Sequence, residues 1–168
     1  MGFTLIKYNT SGWLRKLNAS IIIFGTGIML NTSVLIPSQV KTINFKDIKR
    51  RNSPNEYLVC PKDFCRRAIP DELSETYDVS SGELFTWFIS LIESMPRTTI
   101  LSKRNRHLVV EFRSKIFQFT DLVDVLIIPV ESGRSTLAIY SRSKLGYYDF
   151  NVNQKRVKVL LRRLEESL

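Results

Sequence analysis

No charged residue occurs between Lys16 and Lys41, and that gap divides the chain into two parts that must satisfy different surroundings. Inside it, Ala19 to Ile36 is a largely apolar run of eighteen residues, roughly 27 Å as a helix and just long enough for a bilayer core. The triplet Asn31-Thr32-Ser33 weakens the run without charging it. The leading expectation is an uncleaved transmembrane signal-anchor over residues 19–37, behind a basic flank over 1–18 that holds Lys7, Arg15 and Lys16. A cleaved signal peptide is the second reading, opposed by the lack of a small-x-small site near the end of the run. A buried or surface helix is the third, opposed because the run is apolar on all sides rather than along one stripe.

The formal net charge of +9 invites a nucleic-acid reading, so where it lies matters. Residues 1–51 hold eight basic side chains against Asp47, while residues 52–168 hold seventeen bases and fifteen acids. A polyanion-binding domain carries its own basic surface, so nucleic acid is disfavoured as a partner. Residues 38–55, with Lys41, Lys46, Lys49, Arg50 and Arg51, read as a basic tether. That cluster is either a solvated linker or a contact for anionic lipid headgroups. Basic residues flank the apolar run on both sides, so the positive-inside rule does not fix its orientation.

Residues 56–168 read as one α+β domain. Tyr57 to Cys60 is a short apolar strand stopped by Pro61. Ser80 with Glu83 forms a capping-box pattern, followed by Leu84, Phe88, Leu91, Ile92 and Met95 at helical spacing and by Pro96 as a stop. Four strands are expected next, at Thr98–Leu101, His107–Arg113, Leu122–Val130 and Ser135–Ser141, with Ser132-Gly133 turning the last pair. A second amphipathic helix carries Val157, Leu160, Leu161 and Leu164, with Asp149 or Asn151 suited to its cap. The order predicts an antiparallel sheet of four to five strands with two helices on one face, preceded by the transmembrane helix.

Charge also segregates within the domain. Residues 71–93 carry six acids and no base, and residues 142–163 carry seven bases and one acid. Either the two helices neutralise one another or the second presents a basic face.

Motifs for cofactor or catalytic chemistry are sparse. No Gly-rich phosphate loop, G-x-S-x-G elbow or H-E-x-x-H pattern occurs, so no cofactor is expected. Cys60 and Cys65 are two thiols with His107 far away in sequence, which does not close a metal site. They form a disulfide in an oxidising compartment and stay free thiols in a reducing one. Asp121 and Asp124 lie near Arg113 in sequence, either as structural ion-pair partners or as an acid/base pair. The densest polar motif, Ser141 to Asn153, joins the last strand to the last helix and either builds an anion pocket at the helix N-terminus or satisfies a tight junction.

Four segments taken together resemble a known family: N-E-Y-L-V-C-P-K-D-F-C (Asn55 to Cys65), P-R-T-T (Pro96 to Thr99), R-S-x-I-F-x-F-x-D (Arg113 to Asp121), and G-R-S-T-L-A-I-Y-S-R-S-K-L-G-Y-Y-D-F-N-V-N-Q-K-R-V (Gly133 to Val157). They resemble the bacterial and plastid domain of unknown function 1499, over about residues 52–165. This sequence has Lys144 where the family often has arginine, and Phe150-Asn151 where glycine is common. The resemblance implies an envelope-associated protein, often with an N-terminal membrane segment or lipoprotein signal. It implies no catalytic residues.

The favoured reading is a non-enzymatic binding or scaffolding module, single-pass in the bacterial inner membrane with its domain in the periplasm. Arg113, Ser114, Asp121, Arg142, Ser143, Asp149, Asn153 and Arg156 would line a polar patch for an anionic or amphiphilic ligand or protein partner. The alternative is a hydrolase or transferase using Asp121 and Asp124 as acid and base.

Overall fold

The computed structural model describes residues 40–51 and 53–168. The expected flank and signal-anchor, residues 1–37, lie outside the described residues, and among those described no helix is long and apolar enough to cross a membrane.

The domain is α+β: β1 (Glu56–Cys60), β2 (Glu72–Leu73), β3 (Thr76–Tyr77), α1 (Ser81–Ser94), β4 (Thr98–Arg104), β5 (His107–Arg113), β6 (Thr120–Pro129), β7 (Ser135–Ser143) and α2 (Val152–Glu165). The sheet runs β2-β1-β7-β6-β5-β4, with β3 continuing along the β1 edge of β7. It corrects the expected four to five antiparallel strands. There are seven among the described residues, and the sheet is mixed because β2 runs parallel to β1. Both additions are two-residue strands held by a few backbone pairs, too short to leave a periodic pattern in the sequence.

Local chemistry explains the main elements. The Ser80 hydroxyl accepts the Glu83 N–H at 3.3 Å, and Glu83 returns the bond to the Ser80 N–H at 3.0 Å, so the capping box is formed. At the other end Met95 caps α1 just before Pro96. Asn105 and Arg106 both take left-handed backbone angles, the geometry of a two-residue hairpin turn matched to strand twist. In α2 the N-cap Asn151 makes no side-chain cap bond. Asp149 does that work, accepting the N–H groups of Asn151 at 3.0 Å and Asn153 at 2.8 Å.

Strand alternation sorts side chains onto two faces. One face carries Val59, Leu108, Val110, Val123, Val125, Leu137 and Ile139, packed with Leu84, Phe88, Ile92, Val157, Leu160 and Leu164 of the helices. Burying each of the larger ones stabilises by about 1.5–3 kcal/mol. The opposite face carries Leu58, Cys60, Ala138 and Tyr140 under Phe45 and Ile48. Residues 43–51, read from sequence as part of a tether, therefore pack on the domain, with Phe45 1% and Ile48 5% exposed. Four apolar side chains, Val40, Ile43, Phe45 and Ile48, scattered among eighteen mostly polar residues are too weak a signal to mark a packed segment. Cys60 and Cys65 are joined in a disulfide that closes the loop after β1.

Candidate functional site

The eight residues of the expected polar patch all lie toward one end of the sheet, where β5, β6 and β7 meet the β5–β6 loop (114–119) and the β7–α2 junction (144–151). Register places them there: Arg113 pairs with Thr120, and Asp121 with Ser143. The sheet then divides them.

On the helix face, Asn153 is fully buried and central. Its amide nitrogen lies 2.9 Å from the Asn55 carbonyl, 3.0 Å from the Ser143 hydroxyl and 2.7 Å from the Asp149 carboxylate. Its amide oxygen accepts from the Ser141 hydroxyl at 2.5 Å and from Arg156 at 2.7 Å. Arg156 also pairs with Asp121 at 2.5 Å and lies 4.9 Å from the Phe112 ring centre. Five of the eight, namely Asp121, Ser143, Asp149, Asn153 and Arg156, thus form one bonded footing beneath α2.

Arg142 points to the other face. There it bonds Asp124 at 2.6 Å, and Asp124, fully buried, also lies 3.0 Å from Nε2 of His107. Phe45 packs on that imidazole with ring centres 5.7 Å apart. Glu56 lies nearby on this face, bonded to Arg50 at 3.0 Å and accepting the Tyr140 hydroxyl. Burial alone would raise the Glu56 carboxyl, but bonds from Tyr140, Arg50 and the Arg51 N–H outweigh it and hold it below the usual carboxylate range. Burial and that same carboxylate push the Tyr140 phenol up. Glu111 is held low by Lys144 and then Arg113, each 2.8–2.9 Å away. Arg113 is otherwise exposed, and the Ser114 hydroxyl accepts the Phe119 N–H at 2.9 Å.

The pairing of Asp121 with Asp124 as acid and base has no geometric basis. Three residues apart on a strand, they face opposite sides of the sheet, and each is held by its own arginine. No buried side-chain nitrogen or oxygen among the described residues lacks a partner, and no group there of three or more His, Cys, Asp and Glu could hold a metal. A polar hollow of about 240 Å³ beside the footing is lined by Arg50, Glu56, Asp71 and Asp149. Arg50 binds Glu56 and Asp71 there, and Asp149 caps α2.

What the footing carries is apolar and exposed. Of the eleven large hydrophobic side chains exposed among the described residues, eight sit on or beside the two loops, which makes this end unlike the rest of the surface. The β5–β6 loop contributes Ile116 (77% exposed), Phe117 and Phe119, and the two phenylalanine rings stack at 5.5 Å. The β7–α2 junction contributes Leu145 (82%), Tyr147, Tyr148 and Phe150, with Tyr148 and Phe150 edge to face at 5.4 Å. Val152 opens α2 beside them.

Both loops are held rather than loose. Ser114 donates its N–H to the Phe119 carbonyl, and Lys144 donates to Thr120 from the adjacent strand. Asn55 binds the Gly146 carbonyl, and the Ser53 hydroxyl binds that of Tyr147 at 3.1 Å. Gln118, Phe150 and Asn151 have φ of 54°, 54° and 62°. For a bulky residue such as Phe150 this left-handed conformation is costly and persists only because its surroundings enforce it.

Sequence reasoning found the footing and the two tyrosines but missed Ile116, Phe117, Phe119, Leu145 and Phe150 as a surface. The available signal was the placement of apolar residues in segments bounded by strand ends and by Gly146, where turn residues are usually polar.

Comparison with known proteins gives a family and no activity. No curated protein matches the sequence. A family model described as "Protein of unknown function (DUF1499)" matches residues 50–164, a span that contains every strand among the described residues, α1, all of α2 but its last residue, the footing and both aromatic loops. The chain belongs to this family of proteins of unknown function.

Proposed function

We propose that the protein is a membrane-anchored binding or scaffolding module whose working surface is the aromatic tip formed by residues 114–119 and 144–152. The observation that carries this reading is the concentration of exposed apolar side chains on two loops fixed from below by a bonded polar footing. Exposed apolar clusters on soluble domains mark interaction sites, and rigid aromatic side chains give contact area at little conformational cost. Asp121, Ser143, Asp149, Asn153 and Arg156 support the tip from within, Ser114 holds the β5–β6 loop, Arg142 is bonded to Asp124 on the other face, and Arg113 is exposed beside the tip. No nucleophile, base and oxyanion donor converge here, which favours binding over the hydrolase or transferase alternative.

Anchoring rests on the uncharged run at residues 19–37, and a periplasmic position on the family resemblance together with the Cys60–Cys65 disulfide, a bond that persists in oxidising compartments. Of the bases between 41 and 51, Lys41, Lys46 and Lys49 are exposed and remain for anionic headgroups, whereas Arg50 and Arg51 are turned to Glu56.

The test is photocrosslinking in cells that express the full chain, with benzoylphenylalanine at Phe117, at Phe150 and, as control, at exposed Lys158 on α2. Covalent products from the two tip positions and none from Lys158 are expected. No product from either tip position would reject the tip as a binding surface.

A further inference from the structure

We infer that the occupant of the aromatic tip is the surface of an anionic lipid bilayer; the inference rests on the tip being a binding surface. The first support is the chemistry of the two loops. Phenylalanines, leucine and isoleucine stand beside two tyrosines, each tyrosine with an apolar ring and a polar hydroxyl. That mixture partitions to the boundary between headgroups and acyl chains, where aromatic residues collect in membrane proteins.

The second support is charge complementarity. Arg113, Lys115, Lys144 and Lys155 surround the apolar groups, all exposed. Of the acids in the same region, Asp149 caps α2 and Glu111 is shared by Arg113 and Lys144 and so balances part of their charge, while Lys115 and Lys155 enter no ion pair among the described residues. A partner approaching the tip therefore meets hydrocarbon with a net positive charge beside it, the pattern of proteins that rest on anionic membranes.

The third support is shape. Each loop holds its aromatics as a ring pair, on backbone fixed by Ser114, Asn55 and the left-handed Gln118, Phe150 and Asn151. A flat fluid surface asks only for a shallow, protruding and rigid apolar tip. An enclosed small ligand would ask for a concavity, and the hollow nearest the tip is polar and lined by groups already bonded to one another.

The test is hydrogen–deuterium exchange on the full chain, reconstituted into vesicles of phosphatidylcholine alone and into vesicles that also contain phosphatidylglycerol. Peptides covering 114–119 and 144–151 should exchange at least about tenfold more slowly in the anionic vesicles, as burial at an interface requires. The variant Phe117→Ser with Phe150→Ser should lose that difference while exchange across β5, β6 and β7 stays as in the wild type. Equal loop exchange in the two vesicle types, or slowing confined to residues 41–51, overturns the inference. If the tip positions then still crosslink to a protein in cells, the tip is a protein-docking surface and only the lipid assignment falls. If they crosslink to nothing, both readings fall.

Discussion

The two ends of the sheet are built to opposite rules. At the end formed by the β4–β5 turn and the β6–β7 turn, the exposed residues include Asn105, Arg106, Glu131 and Arg134, and the apolar side chains lie inside. At the other end the polar groups Asp121, Ser141, Ser143 and Asn153 are buried, while Phe117, Leu145 and Phe150 face solvent. The first arrangement follows from transfer free energies alone. The second keeps polar groups in a dry place, affordable only because each is bonded, and leaves apolar area exposed that the fold does not use. The difference separates stability from contact: the footing holds the domain together, and the tip it supports is available to something else.

The sharpest way to break this separation is to unpair the buried groups. Asp124→Ala strands Arg142 without its carboxylate and should cost about 3–5 kcal/mol, read as a fall in urea midpoint; a loss under about 1 kcal/mol would mean that Arg142 simply finds water. Asn153→Ala comes next. It removes the acceptor of the Ser141 hydroxyl proton and one of the two donors to the Asn55 carbonyl, at about 1–3 kcal/mol, and should raise exchange at 144–151 along with it. Acid should weaken the same end. Glu56 and Glu111 are held below their ordinary carboxylate value of 4.5, so the stability they contribute is complete above that pH and is lost as pH falls through their lowered folded values. Glu56→Gln should flatten the dependence of melting temperature on pH in that acid range, and an unchanged profile would remove Glu56 from the account. At the end opposite the tip, Ser80→Ala should cost about 1 kcal/mol through the lost cap of α1, with no effect on either aromatic loop.

Much of the scaffold was legible before any coordinates. The Ser80–Glu83 box and the Leu84, Phe88, Leu91 and Ile92 stripe mark α1, because one face of that helix is buried; alternation in His107–Arg113 marks β5 although both of its faces are buried, since His107 and Glu111 are polar groups held by charged partners. β2 and β3 were not legible: two residues cannot show a period, and their pairing depends on where the disulfide loop delivers the chain. The packing of Phe45 and Ile48 was hidden for the same reason. The polar residues of the site could be picked out by their density around Ser141–Asn153, but their division by the sheet followed only from register. Arg142 and Ser143 are neighbours in sequence and look to opposite faces. The apolar tip was obscured by a general expectation, since Ile116-Phe117 and Phe150 resemble core residues until the strands on either side are seen to end.

The smallest expected effect is the most direct test. Phe117→Ser with Phe150→Ser removes two large aromatic side chains, a change that in a core would cost several kcal/mol. At a tip whose aromatics serve contact rather than folding, the unfolding free energy measured by urea denaturation should stay within about 0.5 kcal/mol of the wild type, as for ordinary surface substitutions. A loss above about 2 kcal/mol would place these rings in the packing of the domain and would contradict the separation of footing from tip.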